Sequence, residues 1–302
     1  MQSKFIQYFS LFLGVFSLST SAIFVKLADA PSSITAFYRL FLAVLILLPL
    51  LLFKREYWQD MLSLSKNQWS LGLLSGLFLA IHYVLWFESL NYTSVASSTV
   101  IVTLQPLFSF VGGHFLFKER FSKEALASCF MSVIGCLIIG WGDFQISFQA
   151  LFGDFLAFIS AGVITAYFFI GQHMRKKLSV VPYSILGYTG SAFFLSMYAL
   201  SQHLSFTNYS LNTWKSFIGL ALIATILGQM VFNWLLKWLS TTVVSMCILG
   251  ETIGTCILAY FILGEIISLR QGLGAVITLV GLGLFLFYKN KLLAEQDSHS
   301  VI

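Results

Sequence analysis

The chain has 302 residues, 58% hydrophobic and only 10% charged, with a formal net charge of +5 and a mean hydropathy of +0.87. A soluble domain carries about 25% charged residues, so this chain lacks the polar surface that a water-exposed globule needs. Its basic residues stand in short clusters between apolar runs, not along one long face, which argues against a nucleic-acid partner.

A run of about 20 apolar residues matches the ~30 Å hydrocarbon core of a bilayer. Ten such runs follow one another, at 5–27, 31–53, 68–90, 94–117, 123–141, 150–173, 182–203, 214–236, 241–264 and 268–288. They are continuous, without the alternation of a transmembrane β-barrel. The expected fold is an all-α polytopic membrane protein of ten transmembrane helices. The first run stays apolar beyond the small residues at 19–22, so it reads as an uncleaved span and not as a signal peptide. With the N-terminus inside, the inner segments collect Lys4, Lys54, Arg55, Lys66, Lys118, Arg120, Lys123, Arg175, Lys176, Lys177, Lys237, Lys289 and Lys291. Only Lys26, Arg39, Lys215 and Arg270 of the 17 basic residues fall elsewhere. Basic residues in short loops set topology, so both termini are expected to be cytoplasmic.

The stretch 241–268 repeats the pattern of 95–122 at an offset of 146 residues. Gln105 then matches Glu251, Glu119 matches Glu265, Ser122 matches Ser268, Tyr83 matches Gln229 and Phe87 matches Asn233. The expected units are 1–141 and 150–288, followed by a cytoplasmic tail at 289–302. Five spans per unit is an odd number, so the second unit enters the membrane upside down. Inverted repeats of this kind characterise secondary transporters, with the binding site near the midplane between them.

Polar groups inside the spans are the candidates for that site. Glu251 lies near the middle of the ninth run, and an intramembrane carboxylate is a functional hypothesis by default. It is a candidate for substrate contact or for holding a coupling proton; the alternative is a bond to neighbouring hydroxyls for packing. Gln105 stands beside Pro106, which removes a backbone hydrogen bond and kinks the fourth span, for function or for packing. His82 and Trp86, four apart, share a helix face and with Tyr83 form a pocket wall, or else an interfacial aromatic belt. Gln229 and Asn233 make a polar stripe on the eighth span. Arg39, deep in the second, is read as structural, with a helix C-terminus or a carboxylate as partner. Lys26 and Glu88 are read either as an outer gate or as two solvated span ends. Ser268 and Gln271 have the spacing of a capping box. The four cysteines lie inside apolar runs without metal-ligand spacing, and no cofactor motif or G-x-x-x-x-G-K-[ST] sequence occurs. No enzyme constellation is apparent.

The sequence also resembles a known family. Lys26, Pro31, the Phe-Tyr-Arg at 37–39, HYVLWFESLNYTSVASS at 82–98, Gln105-Pro106 and FKERFS at 117–122 carry the likeness in the first half. LGQMVFNWLLKWLSTTVVS at 227–245, LGETIG at 249–254 and LGEIIS at 263–268 carry it in the second. In order and spacing these resemble the EamA-type transporters of the drug/metabolite transporter superfamily. Members commonly have proline where this chain has Thr252, and a histidine-bearing motif in the eighth span whose second position is Gln229 here.

The resemblance implies a cavity lined by spans 1, 3, 4, 6, 8 and 9, in a bacterial plasma-membrane protein. The combined reading is a secondary carrier for small metabolites, amino acids or related amphipathic compounds, moving them outward by alternating access as a monomer or homodimer. Glu251, Gln105, His82, Tyr83, Trp86, Gln229 and Asn233 would form the site, with Tyr167 closing it from span 6. Arg39, Pro106, Glu119 and Glu265 would orient helices. A non-transporting or lipid-handling membrane protein is the other reading. It would place headgroup-binding cations at depth, and Arg39 alone fits that.

Overall fold

A computed structural model describes residues 4–141, 147–264 and 266–299. Within them ten helices are long and apolar enough to cross a membrane: Phe5–Leu27, Ser32–Phe53, Lys66–Tyr92, Ser97–Phe117, Lys123–Gly140, Phe148–Met174, Val180–Ser201, Leu211–Leu235, Thr241–Ile262 and Leu269–Lys289, taken below as spans 1 to 10. Large apolar side chains such as Phe12, Phe53, Phe115, Phe130 and Phe261 are exposed along them. In water these would be sticky patches; in a bilayer they face acyl chains. Serines start several spans. Ser65 and Gln68 form a reciprocal capping box, Ser122, Ser147 and Ser210 each accept a first-turn N–H, and Ser268 pairs with Gln271. Two features depart from the expected outline. The connection between spans 2 and 3 holds a short helix, Arg55–Leu62, and the last helix runs on from Leu269 to His299.

The 146-residue offset is visible in the packing. Spans 5 and 10 meet face to face, where Ser132 Oγ donates to the Thr278 carbonyl (3.3 Å) and Thr278 Oγ1 to the Ser132 carbonyl (3.4 Å). A Cβ on Gly135 would meet Thr278 and Gly274, and one on Gly281 would meet Ser132 and Ser128, in both cases within 3 Å. Each of these contacts is the image of the other under the offset, as expected when a two-fold axis relates the halves. Small residues there let the helix backbones approach closely.

The same correspondence holds at span ends. Span 4 closes on Lys118 in the left-handed conformation (φ 55°), its N–H on the Gly113 carbonyl. Span 9 closes on Gly264 (φ 71°), its N–H on the Ala259 carbonyl. The fold is two inverted five-helix repeats. Glu265 lies outside the described residues.

Three spans are not continuous α-helices. Span 4 breaks between Val95–Val102 and Gln105–Phe117, just ahead of Pro106. Span 9 breaks at Leu249, between Thr241–Ile248 and Gly250–Leu263, with no proline present. There Thr252 Oγ1 donates to the Leu249 carbonyl (3.0 Å) and meets Thr103 Oγ1 of span 4 at 3.2 Å. Bonding of a Thr hydroxyl back to a carbonyl one turn earlier bends helices. Span 8 contains a π-helical stretch, Leu220–Gln229, a winding that is rare and concentrated at functional sites.

Candidate functional site

Both broken helices resume at one place. Gln105 opens the second segment of span 4, and Glu251 lies in the first turn of the second segment of span 9. Helix starts carry unsatisfied N–H groups and partial positive charge, so the two halves direct their dipoles at a common point. A cavity lies there, lined by Glu251, Gln105, His82, Tyr83, Trp86, Gln229 and Arg39, and closed by apolar Leu18, Val102, Ile164, Phe168 and Ile248. The lining comes from spans 1, 2, 3, 4, 6, 8 and 9. Span 2 joins those that the family resemblance implies, through Arg39. The volume open to a water-sized molecule is about 20 Å³, space for one water and for no metabolite.

Four polar atoms of the lining residues have no hydrogen-bond partner among the described residues: Tyr83 Oη, Trp86 Nε1, Gln105 Oε1 and Gln229 Nε2. Leaving a buried polar atom unpaired costs about 1–3 kcal/mol, so their convergence is a feature of the site and not of a dry core. Among the described residues no hydrogen bond reaches the Glu251 carboxyl group either; its backbone carbonyl accepts from Ser19 Oγ at 3.2 Å. The His82 ring stacks on Trp86 and is held by Ser160, whose Oγ is 2.7 Å from Nδ1 and also donates to the His82 carbonyl.

Arg39 is fully buried and bonded to protein groups through all three of its nitrogens. Nε donates to Thr225 Oγ1 (2.8 Å), Nη1 to Ser21 Oγ (2.6 Å) and Nη2 to the Ala224 carbonyl (3.4 Å), and the guanidinium lies 4.5 Å from the Tyr83 ring centroid. The expected carboxylate or helix C-terminus is replaced by hydroxyls and a carbonyl of the π-helical stretch, within electrostatic reach of Glu251.

Two residues expected at this site lie elsewhere. Asn233 and Tyr167 exchange hydrogen bonds: Tyr167 Oη to Asn233 Oδ1 at 3.0 Å, and Asn233 Nδ2 to Tyr167 Oη at 2.7 Å. Asn233 Nδ2 also reaches Ser184 Oγ and Tyr188 Oη. Asn233 stands one turn, about 6 Å, beyond Gln229, which carries it out of the cavity into this network of spans 6, 7 and 8. Arg175 braces the network by donating from Nε to the Asn233 carbonyl (2.9 Å), and burial pushes its guanidinium down to about 10. Lys26 and Glu88 do not pair. Lys26 Nζ donates to the Leu90 carbonyl (3.1 Å), tying span 1 to span 3, while Glu88 accepts from Asn91.

Past the Asn233 network, at the basic ends of spans 4, 6, 8 and 10, lies a vestibule of about 350 Å³ that includes Gln172, Leu236 and Val243. Following the helices from Phe168, Gln229 and Ile248, it is about 6–10 Å from the central cavity. Glu119 lines it, partly buried and 3.7 Å from Lys289 Nζ. Sequence reading gave Lys176, Lys237 and Lys289 as inner charges without showing that they surround a common space.

Among known proteins, the pattern of the EamA-like transporter family matches residues 5–141 and again 151–287. The uncharacterized transporter YyaM of Bacillus subtilis (strain 168) is 26% identical over 290 residues, covering 92% of this chain and 93% of that protein. An uncharacterized transporter of Archaeoglobus fulgidus is 25% identical over 269 residues, covering 86% and 90%. A protein of known crystal structure shares the fold with a TM-score of 0.78, at 14% identity, over 96% of this chain and 99% of that one. With both halves matched by one family and ten spans to carry it through a bilayer, the chain belongs to the EamA-like transporter family and is an integral membrane transporter.

Proposed function

We propose that the protein is a secondary carrier that moves small amphipathic metabolites, such as amino acids, outward across a bacterial plasma membrane by alternating access, without altering them chemically. The observation that carries this reading is the central cavity. Four unpaired polar atoms and Glu251 converge on a space too small for any substrate, so the site must enlarge to work. Tyr83, Trp86 and Gln229 offer donors; Gln105 Oε1 and Glu251 offer acceptors. A solute with an anionic and a cationic end on a small apolar body fits that set.

Access from the basic side supports the outward direction. There the cavity is separated from a 350 Å³ vestibule by the Asn233 network, whereas Lys26 on the opposite side ties span 1 directly to span 3. With both termini and the tail at 289–302 in the cytoplasm, loading takes place from the cytoplasmic vestibule. Glu251 carries the coupling proton in this scheme.

The test is flux in proteoliposomes. Glu251→Gln abolishes transport driven by a pH gradient and spares downhill exchange; undiminished gradient-driven flux removes the proton role. Cysteines placed at 105 and 251 become reactive from alternate sides as conditions change. Access from neither side ends the carrier reading.

A further inference from the structure

We propose that the vestibule at the basic face is a binding site in its own right, for a phosphate or carboxylate group. It is distinct from the central cavity and does not depend on the transport cycle described above. Three ammonium groups, Lys176, Lys237 and Lys289, line one space of about 350 Å³, and Glu119 is the one carboxylate among its lining residues. The lining therefore has a net charge of +2.

Three aspects of the geometry point to an anion. First, Glu119 is only a loose partner: its Oε2 is 3.7 Å from Lys289 Nζ, and neither carboxylate oxygen has a hydrogen bond among the described residues. Second, all three lysines are set against aromatic faces, and among the described residues only Lys289 of the three has an acid beside it, Glu119. Lys176 stands 5.8 Å from the Phe117 ring centroid, Lys237 5.7 Å from Trp238 and Lys289 5.4 Å from Phe121. Such contacts hold a cation in place without neutralising it. Third, the Ser240 hydroxyl, also in the lining, has no hydrogen-bond partner among the described residues. Ammonium groups gathered around one cavity repel one another, and an anion among them turns that repulsion into attraction.

The lysines come from different elements: the end of span 6, the connection between spans 8 and 9, and the end of span 10. An anion shared by them fastens those ends together, directly below the Asn233 network. Two sources supply the chemistry, a free anionic solute and the headgroup of an acidic phospholipid, and the same full-length protein distinguishes them. In a nonionic detergent, inorganic phosphate is titrated against thermal unfolding. In phosphatidylcholine nanodiscs with and without phosphatidylglycerol, retained lipid is measured by native mass spectrometry.

The expected result is saturable stabilisation by phosphate, selective retention of phosphatidylglycerol, or both. The double variant Lys176→Gln/Lys237→Gln weakens it about 5- to 30-fold, and Lys176→Arg/Lys237→Arg preserves it. A response to phosphate alone identifies a solute site, and a response to phosphatidylglycerol alone a lipid site. No response to either probe, or an equal response in the glutamine variant, overturns the proposal. Transport by the glutamine variant is a separate measurement that bears on the carrier reading alone.

Discussion

Above and below the central cavity the molecule closes itself at equivalent backbone positions with different chemistry. On span 3, one turn from Tyr83 away from the basic face, stands Phe87, 1% exposed and packed against Trp86 and Tyr83. On span 8, one turn from Gln229 toward the basic face, stands its counterpart Asn233, bonded to Tyr167, Ser184 and Tyr188. The closure on the Lys26 side is aromatic packing with one lysine-to-carbonyl tie; the closure toward the basic face is a hydrogen-bonded knot beside a vestibule. Hydrogen bonds can be exchanged for water with little net cost, whereas apolar contacts cannot. An inverted repeat with identical closures would have no preferred side. In the carrier scheme proposed above, this one opens more readily toward the face where water can take over its bonds.

The largest expected effect comes from Arg39, whose counterpart at the 146-residue offset is Ile185. Arg39→Leu takes the guanidinium away from the Ser21 hydroxyl, Thr225 and the Ala224 carbonyl, leaving Thr225 only its bond to the Leu220 carbonyl, and removes the cation near Glu251, an expected loss of about 3–5 kcal/mol. Arg39→Lys rescues little, because a compact ammonium cannot reproduce the fork to Ser21 and Thr225. Ile185→Leu costs less than about 1.5 kcal/mol. Thermal unfolding in detergent measures all three, and a well-behaved Arg39→Leu protein would mean that the π-helical stretch does not depend on this cation.

Next in size is the closure toward the basic face. Asn233→Leu removes four bonds to three residues and strands two tyrosine hydroxyls, an expected loss of about 2–3 kcal/mol. It also makes a cysteine at position 105 more reactive from the basic face. Phe87→Leu, its image, leaves that reactivity unchanged from the same face. Equal reactivity in both variants would erase the distinction between the closures.

A smaller effect tests where the halves are alike. At the axis, Gly135→Ala and Gly281→Ala each push a Cβ within 3 Å of backbone on the facing span. Each should cost about 1–3 kcal/mol, and by nearly the same amount. Gly283→Ala, with nothing within 4 Å, is the control and leaves unfolding unmoved. A large inequality between the first two would show that spans 5 and 10 are not packed around a two-fold axis.

Much of this was legible in the residues. The ten spans are set by run length, and the inversion by an odd number of spans per repeat. Glu251, Gln105, His82, Tyr83, Trp86 and Gln229 come to one cavity because helical spacing fixes which side chains share a face. Depth was not legible: Asn233 shares a face with Gln229, but one turn carries it out of the cavity. Partners were not legible either. Lys26 bonds a carbonyl and not Glu88, since every backbone carbonyl competes for a cation and none stands out in a sequence. The π-helical stretch has no marker of its own in LALIATILGQ, and the side chain that bonds its Ala224 carbonyl, Arg39, is 185 positions away.

The smallest effect bears on why two unlike sequences make the same break. Span 4 uses Pro106; at the same offset span 9 uses Thr252, bonded back to the Leu249 carbonyl. Because the second segment of span 9 begins at Gly250, position 252 lies in a first turn, where a proline removes an N–H that has no partner within the helix. Thr252→Pro therefore loses only the hydroxyl's contacts with the Leu249 carbonyl, Thr103 Oγ1 and Cys136 Sγ, about 1 kcal/mol or less, and keeps the break. Cys256→Pro, four residues on in the same helix, costs about 3 kcal/mol or more. If Thr252→Pro proved as damaging as Cys256→Pro, the helix would be continuous through Leu249, and the two halves would not meet at the cavity as paired helix starts.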